Sequence, residues 1–321
     1  MLSRRRFLTA AASTCALPFG SGGIAADALV PTAAVAQPKL TPTEQLMYAT
    51  VRLFYRTPTQ TKWGTAFFFN FFKTETASVP ALVTNRHVVE DMASCSFILT
   101  ARADDGTPDL SKQIPITLSD FQNAWLPHPS ADLAIIPVAR TINGMTIKPY
   151  FVSLDQSLIP TEDQLKDLTP VEQVLTIGFP GAIWDDVHNL PVFHRGYTAT
   201  APYIEFKGQK EFLIDFTTWP GASGSPVLLY NEGTWLDRRG HTIMGGIRAK
   251  LLGVVFGVAQ QDISGNVIIQ AGPTGIAAAG HMSVPTNLGA CIMSSQILDF
   301  EPLLVSKGVT LPSGYKMRAR P

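Results

Sequence analysis

Between residues 51 and 269 the chain is a succession of short runs rich in Val, Ile, Phe and Thr, separated by Gly, Pro, Asp and Asn. Val51–Tyr55, Ala66–Phe72, Ala81–Thr84, Phe97–Ala101, Leu133–Val138, Val174–Ile177, Phe212–Phe216, Pro226–Leu229, Leu251–Val258 and Val267–Ile269 are all of this kind. β-branched and aromatic side chains suit the pleated surface of a sheet, and turn residues at this spacing stop each strand after a few residues. Helical periodicity is scarce. The pattern therefore argues for an all-β sandwich or barrel and against an alternating βαβ sheet. Three helices are expected. One is short and starts at Thr41, with Pro42 at its first position and Glu44 completing a capping box. The others are Glu162–Asp167 and Ser294–Leu304. The stripe Phe67, Phe68, Phe69, Phe71, Phe72 reads as core and surface of a barrel rather than a ligand platform.

The chain opens with Ser3-Arg4-Arg5-Arg6-Phe7-Leu8, runs through an Ala-rich apolar stretch to Ala26, and reaches a small-x-small site at Ala34-Val35-Ala36. Residues 1–36 read as an export signal, with paired arginines like those of a twin-arginine signal, cut before Gln37. Pro18, Gly20, Gly22 and Gly23 interrupt its apolar core, which suits a cleavable signal better than a spanning anchor. The expected location is periplasmic or secreted, with no membrane contact in the mature form. The polar, Pro-containing stretch Ser157–Pro170 divides the rest into units of about equal size, residues 37–160 and 161–304, with 305–321 as a tail.

Composition excludes some functions. Charged residues make up 16% of the chain and the net charge is zero, which argues against bulk nucleic-acid binding, since that needs a basic face. Of three cysteines, Cys15 falls in the signal. Cys95 and Cys291 are open to one disulfide or to two buried thiols. The segment Trp184–His194 mixes Asp and His, but its spacing fits no zinc motif, so a surface loop is expected. No metal and no cofactor are expected.

Three local patterns carry chemistry. In Thr84-Asn85-Arg86-His87 a buried strand delivers a histidine at its end. In His128-Pro129-Ser130-Ala131-Asp132-Leu133-Ala134 an aspartate enters an apolar strand. In Gly221-Ala222-Ser223-Gly224-Ser225-Pro226 a serine sits between glycines in a tight loop. A serine hydroxyl is a weak nucleophile at neutral pH, so a base must take its proton as it attacks. Histidine as a residue type titrates near neutrality and suits that task. A carboxylate fixes the tautomer of the ring and stabilises the imidazolium that forms. Glycines let backbone N–H groups turn toward a developing oxyanion. Each pattern alone is commonplace; the three together, in the order His, Asp, Ser, point to acyl transfer.

These segments resemble the three signature segments of chymotrypsin-like (trypsin-like) serine peptidases, and the chain order is also that family's. Gly178-Phe179-Pro180 with Arg195-Gly196-Tyr197-Thr198 is similar to HtrA/Deg-type bacterial proteases, and Gly221 to Pro226 is also similar to glutamyl endopeptidases. The resemblance covers about Val51 to Leu304. It implies two six-stranded antiparallel β-barrels with a C-terminal helix, the first bearing His87 and Asp132 and the second Ser223. It further implies a serine endopeptidase acting on protein or peptide substrates. Ser223 would be nucleophile, His87 base and then acid, Asp132 its orienting partner, and the N–H groups of Gly221 and Ser223 the oxyanion hole. Thr217, Thr218, Phe256 and Val258 would line the substrate pocket; the uncharged Thr217 at its base argues against Arg or Lys recognition. Ala222 replaces the aspartate of digestive members, so no zymogen cut is expected. Phe256 stands where relatives carry a serine beside the aspartate, which leaves the support of Asp132 open. Two rival functions stand beside this one: a non-catalytic protease-like binding protein, and a serine esterase of α/β-hydrolase type, whose order Ser…Asp…His only Asp262 and His281 could supply. The oligomeric state is not legible.

Overall fold

The computed structural model describes residues 40–56, 61–180, 184–216, 221–268 and 277–317, with the two short strands β1 (Thr9–Ala10) and β2 (Val30–Pro31). The rest of residues 1–36, expected from the sequence to be an export signal, lies outside the described residues. The chain is mostly β, as its pattern of short strands implies.

A helix, α1 (Pro42–Leu46), comes first, and its capping box forms: Glu44 N–H donates to Thr41 Oγ1 at 3.3 Å and Thr41 N–H donates to Glu44 Oε2 at 2.6 Å. The strands β3 (Thr50–Arg56), β4 (Thr61–Phe71), β5 (Ala77–Thr84), β6 (Cys95–Arg102), β7 (Pro108–Leu118), β8 (Leu126–Pro127), β9 (Ala134–Pro137), β10 (Pro149–Tyr150) and β11 (Val152–Asp155) follow. With β1 and β2 they make one sheet of eleven strands, ordered β10-β6-β3-β4-β5-β9-β8 along its main path. It is broader than the six strands implied by the family resemblance, and β11 pairs with β4 in parallel. The second half is the expected six-stranded closed barrel. It comprises β12 (Gln173–Gly178), β13 (Val192–Thr198), β14 (Glu211–Asp215), β15 (Pro226–Leu236), β16 (Thr242–Ile268) and β17 (Ala277–Met293), in the order β12-β13-β14-β17-β16-β15. Before it lie α3 (Ala139–Asn143), between β9 and β10, and α4 (Glu162–Lys166), the latter opened by a capping box between Thr161 and Gln164.

The five phenylalanines of the stripe are all fully buried; none is at the surface. Strand alternation explains why: Phe67, Phe69 and Phe71 point into a core shared with the barrel, while Phe68 points into the first sheet's own core beside Leu82, Phe97 and Phe151. Burying one such side chain contributes about 1.5–3 kcal/mol. The shared core joins Leu133 and Ile135 of the first half to Ile177, Leu228 and Leu251 of the barrel and to Phe300. It places the end of β5, the start of β9 and the loop before β15 on one seam.

The C-terminal helix differs from expectation. Ser294–Asp299 is a 3-10 helix, and α5 runs over Phe300–Ser306. Pro302 has no N–H to donate and disfavours helical geometry at the residue before it, so it fits only in a helix's first turn. Cys95 and Cys291 are buried free thiols in separate cores. Burial pushes the Cys95 thiol up to about 12 and raises Cys291 as well.

Candidate active site

Strand register brings the first two groups together. Thr84, the last residue of β5, lies opposite Ala134, the first of β9. His87 follows three residues after Thr84, in the single-turn helix α2 (Arg86–Val89), and Asp132 precedes Ala134 by two. Their side chains meet: His87 Nδ1 is 2.5 Å from Asp132 Oδ2, and the His87 backbone N–H donates to Asp132 Oδ1 at 3.0 Å. Asn85 Nδ2 donates to the Asp132 carbonyl at 2.8 Å. The support of Asp132 that Phe256 left open is given by Asn85 and by α2 itself; Phe256 packs against the shared core. Asp132 is 30% exposed and His87 43%, open enough for the ring to reach a partner.

The third group arrives on a loop built from backbone. Gly221 and Gly224 have φ of +97° and +88°, a left-handed region that costs other residues energy. A Cβ on Gly224 would stand 1.8 Å from the Thr65 carbonyl oxygen, and one on Gly221 2.6 Å from that of Phe179. Only glycine lets the chain pass this close. Backbone bonds lock the loop: Thr65 N–H to Ser223 O at 2.9 Å, Gly224 N–H to Val255 O at 2.8 Å, and Ser225 N–H to Ala222 O at 3.0 Å. Thr65 adds its hydroxyl, which donates to Gly221 O at 2.9 Å and accepts from Phe179 N–H at 3.0 Å.

His87, Ser223 and Gly221 line one open cavity of about 330 Å³, together with Thr61, Lys62, Trp63 and Val88. Two of the three groups singled out in the sequence, His87 and Ser223, therefore share one hollow, and the third, Asp132, is bonded to His87 outside its lining. Thr217 and Thr218 lie outside the described residues, as does the side chain of Val258, whose backbone pairs with Gly289. Phe256 is not among the cavity's lining. Sequence reading missed Trp63 and Val88, although Trp63-Gly64-Thr65 opens the long strand that runs to the serine loop. Asp185 and His188 pair with each other at 2.7 Å in the loop before β13; of the segment Trp184–His194 expected as a surface loop, Val192–His194 are strand instead, because they pair with β12. Among the described residues no three His, Cys, Asp or Glu side chains gather as a metal site would need, and no described helix is long and apolar enough to cross a membrane.

A family model for the trypsin-like peptidase domain matches residues 64–236, more than half of the 321. The chain belongs to that family. Membership makes this peptidase domain a hydrolase of the serine endopeptidase class. Among solved structures it is similar to a serine endoprotease from Yersinia pestis, at 14% identity over 83% of this chain and 66% of that one, with a TM-score of 0.38. A human pathogenic astrovirus serine protease matches at 14% identity, over 77% of this chain and 89% of that one, with a TM-score of 0.35. A thermostable serine protease from an extremophilic microorganism matches at 10% identity, over 82% and 99%, with a TM-score of 0.42. The peptidase chain spans 66% of the length of the Yersinia protein. No curated protein matches it.

Proposed function

We propose that this peptidase cleaves protein or peptide substrates through an acyl-enzyme, with Ser223 as nucleophile, His87 as general base and acid, and Asp132 as the group that orients His87. Ser223 Oγ bonds to the scissile carbonyl carbon while His87 Nε2 takes its proton. The carbonyl π-electrons move onto oxygen, where the N–H groups of Gly221 and Ser223 receive the oxyanion. The C–N bond then breaks, and the amine leaves with the proton from His87. Water, deprotonated by the same nitrogen, adds to the acyl carbon; the C–Oγ bond then breaks, Ser223 takes the proton back from His87, and the carboxylic acid product leaves.

The observation that carries this reading is the double hold of Asp132 on His87, one oxygen at Nδ1 and the other at the backbone N–H. It leaves Nε2 as the working nitrogen in the cavity that Ser223 also lines. Ala222 removes the zymogen switch, so the domain acts without an activating cut. Thr217 and Thr218 favour small or medium uncharged side chains at the scissile residue. The opening arginines and Ala34-Val35-Ala36 support export to the periplasm or beyond.

One experiment tests these together. The full chain is expressed in an exporting bacterium, the exported form is purified, and it is treated with a fluorophosphonate probe and given casein and a peptide library. The expected product begins at Gln37, labels at Ser223 and cuts. Ser223→Ala loses label and about 10⁶-fold in kcat. A Ser223→Ala chain that cuts as well as the parent overturns the assignment.

A further inference from the structure

The short turn that carries Asp132 is folded around a second imidazole. His128 has only 1% of its side chain exposed. Its backbone N–H donates to Leu133 O at 2.9 Å, which closes the segment from 128 to 133 into a loop. Inside the loop His128 Nδ1 accepts two N–H groups, from Ser130 at 3.1 Å and from Ala131 at 2.8 Å. A ring nitrogen that accepts two donors carries no proton, so the proton sits on Nε2. Nε2 lies 3.4 Å from Asp299 Oδ2, in the 3-10 helix before α5. The ring edge meets the face of Phe300, centroids 5.3 Å apart.

Each contact bears on Asp132. The two N–H groups that His128 holds belong to the two residues directly before it. Beyond it, the Leu133 carbonyl is held by the His128 backbone, and the Asp132 carbonyl by Asn85. The peptide plane of Asp132 is therefore fixed from both sides, and its carboxylate is aimed before His87 adds its own two bonds. The ring that aims it packs in turn against the C-terminal segment, edge to face on Phe300 and beside the Asp299 carboxylate.

We infer that His128 is a positioning residue for catalysis: its Nδ1 shapes the loop that presents Asp132 to His87, and the nearby Asp299 carboxylate, close to Nε2 without a hydrogen bond to it, favours by its charge the tautomer that can do so. This rests on Asp132 orienting His87 in the reaction proposed above.

Two substitutions at 128 separate shape from hydrogen bonding. His128→Phe keeps a ring against Phe300 but removes the acceptor. His128→Asn loses the ring but keeps an acceptor oxygen near the Nδ1 position. Measured on the exported enzyme, His128→Phe is expected to lower kcat about 10- to 100-fold with KM nearly unchanged, the size of effect that follows from a small misplacement of a catalytic group. The low-field proton resonance of His87 Nδ1–H should shift or broaden with it. His128→Asn should recover most of the lost kcat and the resonance. Asp299→Ala, which leaves the ring in place, should give a smaller loss of kcat, about 3- to 10-fold, again with KM unchanged. If His128→Phe fails to fold, Asp299→Ala and His128→Asn decide. Unchanged kcat and resonance in Asp299→Ala overturn the inference, as does a His128→Asn enzyme no better than His128→Phe. Fluorophosphonate labelling of the parent at Ser223 keeps the two proposals apart: no label refutes the triad, whereas label with an indifferent His128 refutes only this role.

Discussion

The two sides of the catalytic cavity are held by different kinds of bond. On the His–Asp side nearly every restraint uses a side chain: Asn85 on the Asp132 carbonyl, the Asp132 carboxylate on His87, and His128 on the turn before it. On the serine side the restraints are mainly backbone to backbone, with two glycines at positive φ and the Thr65 hydroxyl as the chief side-chain contribution. The tasks explain the contrast. A base must hold one tautomer and one direction and receive a charge, which takes polar side chains. An oxyanion hole is made of main-chain N–H groups, which can be aimed only where side chains are missing. Substitution should therefore hurt the two sides differently: chemistry without stability on the first, stability together with chemistry on the second.

Asp132→Asn is the severest probe of the first side. The Asn amide keeps an oxygen for the His87 backbone N–H but turns an N–H₂ donor toward Nδ1. Nδ1 must then accept, so the proton moves to Nε2 and the ring can no longer take one from Ser223. The expected loss in kcat is about 10⁴-fold, the size associated with a wrong-tautomer triad, while the thermal midpoint stays within a few degrees. A large drop in midpoint would show that Asp132 serves the fold first and would break the contrast. On the other side, Gly224→Ala places a methyl group where the Thr65 carbonyl oxygen already stands, at a φ that alanine resists. The expected cost is about 3 kcal/mol or more in denaturant unfolding, from backbone strain and overpacking together, with activity lost as the loop moves. An alanine variant with parental stability would mean that the loop is not tightly held.

How much of this was legible follows from where the signal lies. Strands that bury a run of Val, Ile or Phe, such as Ala81–Thr84 and Val174–Ile177, announce themselves. β7 did not: its Leu110, Ser111 and Lys112 are exposed, because it pairs at a sheet margin and has only one side to bury. β13 was hidden likewise, by His194, Arg195 and Gly196. His87, Asp132 and Ser223 were readable because each sits in a run whose residue types serve the chemistry. Asn85 and His128 stood in those same runs and passed unnoticed as supports, because what they do depends on which carbonyl or N–H folding brings near. That His128 stays neutral also has no sequence signature; burial lowers its affinity for a proton, against the partial offset of Asp299. The breadth of the first sheet was invisible because several of its members are only two to four residues long.

Thr65 gives the finest test, since it is the one first-sheet residue described here whose N–H, carbonyl and hydroxyl all enter the contacts of the serine side. Its N–H bonds Ser223, its carbonyl accepts from Thr84 Oγ1 at 2.7 Å and crowds Gly224, and its hydroxyl links Gly221 to Phe179. Thr65→Val keeps the shape and both backbone contacts and deletes the hydroxyl. The Gly221 carbonyl and the Phe179 N–H then lose a buried partner, at a cost of about 1–3 kcal/mol. For a chain of this size each kcal/mol lowers the thermal midpoint by about 2–4 °C. Because Gly221 is also the proposed oxyanion donor, kcat should fall several-fold, while the low-field resonance of His87 Nδ1–H stays where it is in the parent. If that resonance moves, the two sides are coupled through β4 and are not separately held. If neither midpoint nor kcat changes, the hydroxyl is a bystander, and the serine loop owes its shape to glycine and backbone bonds alone.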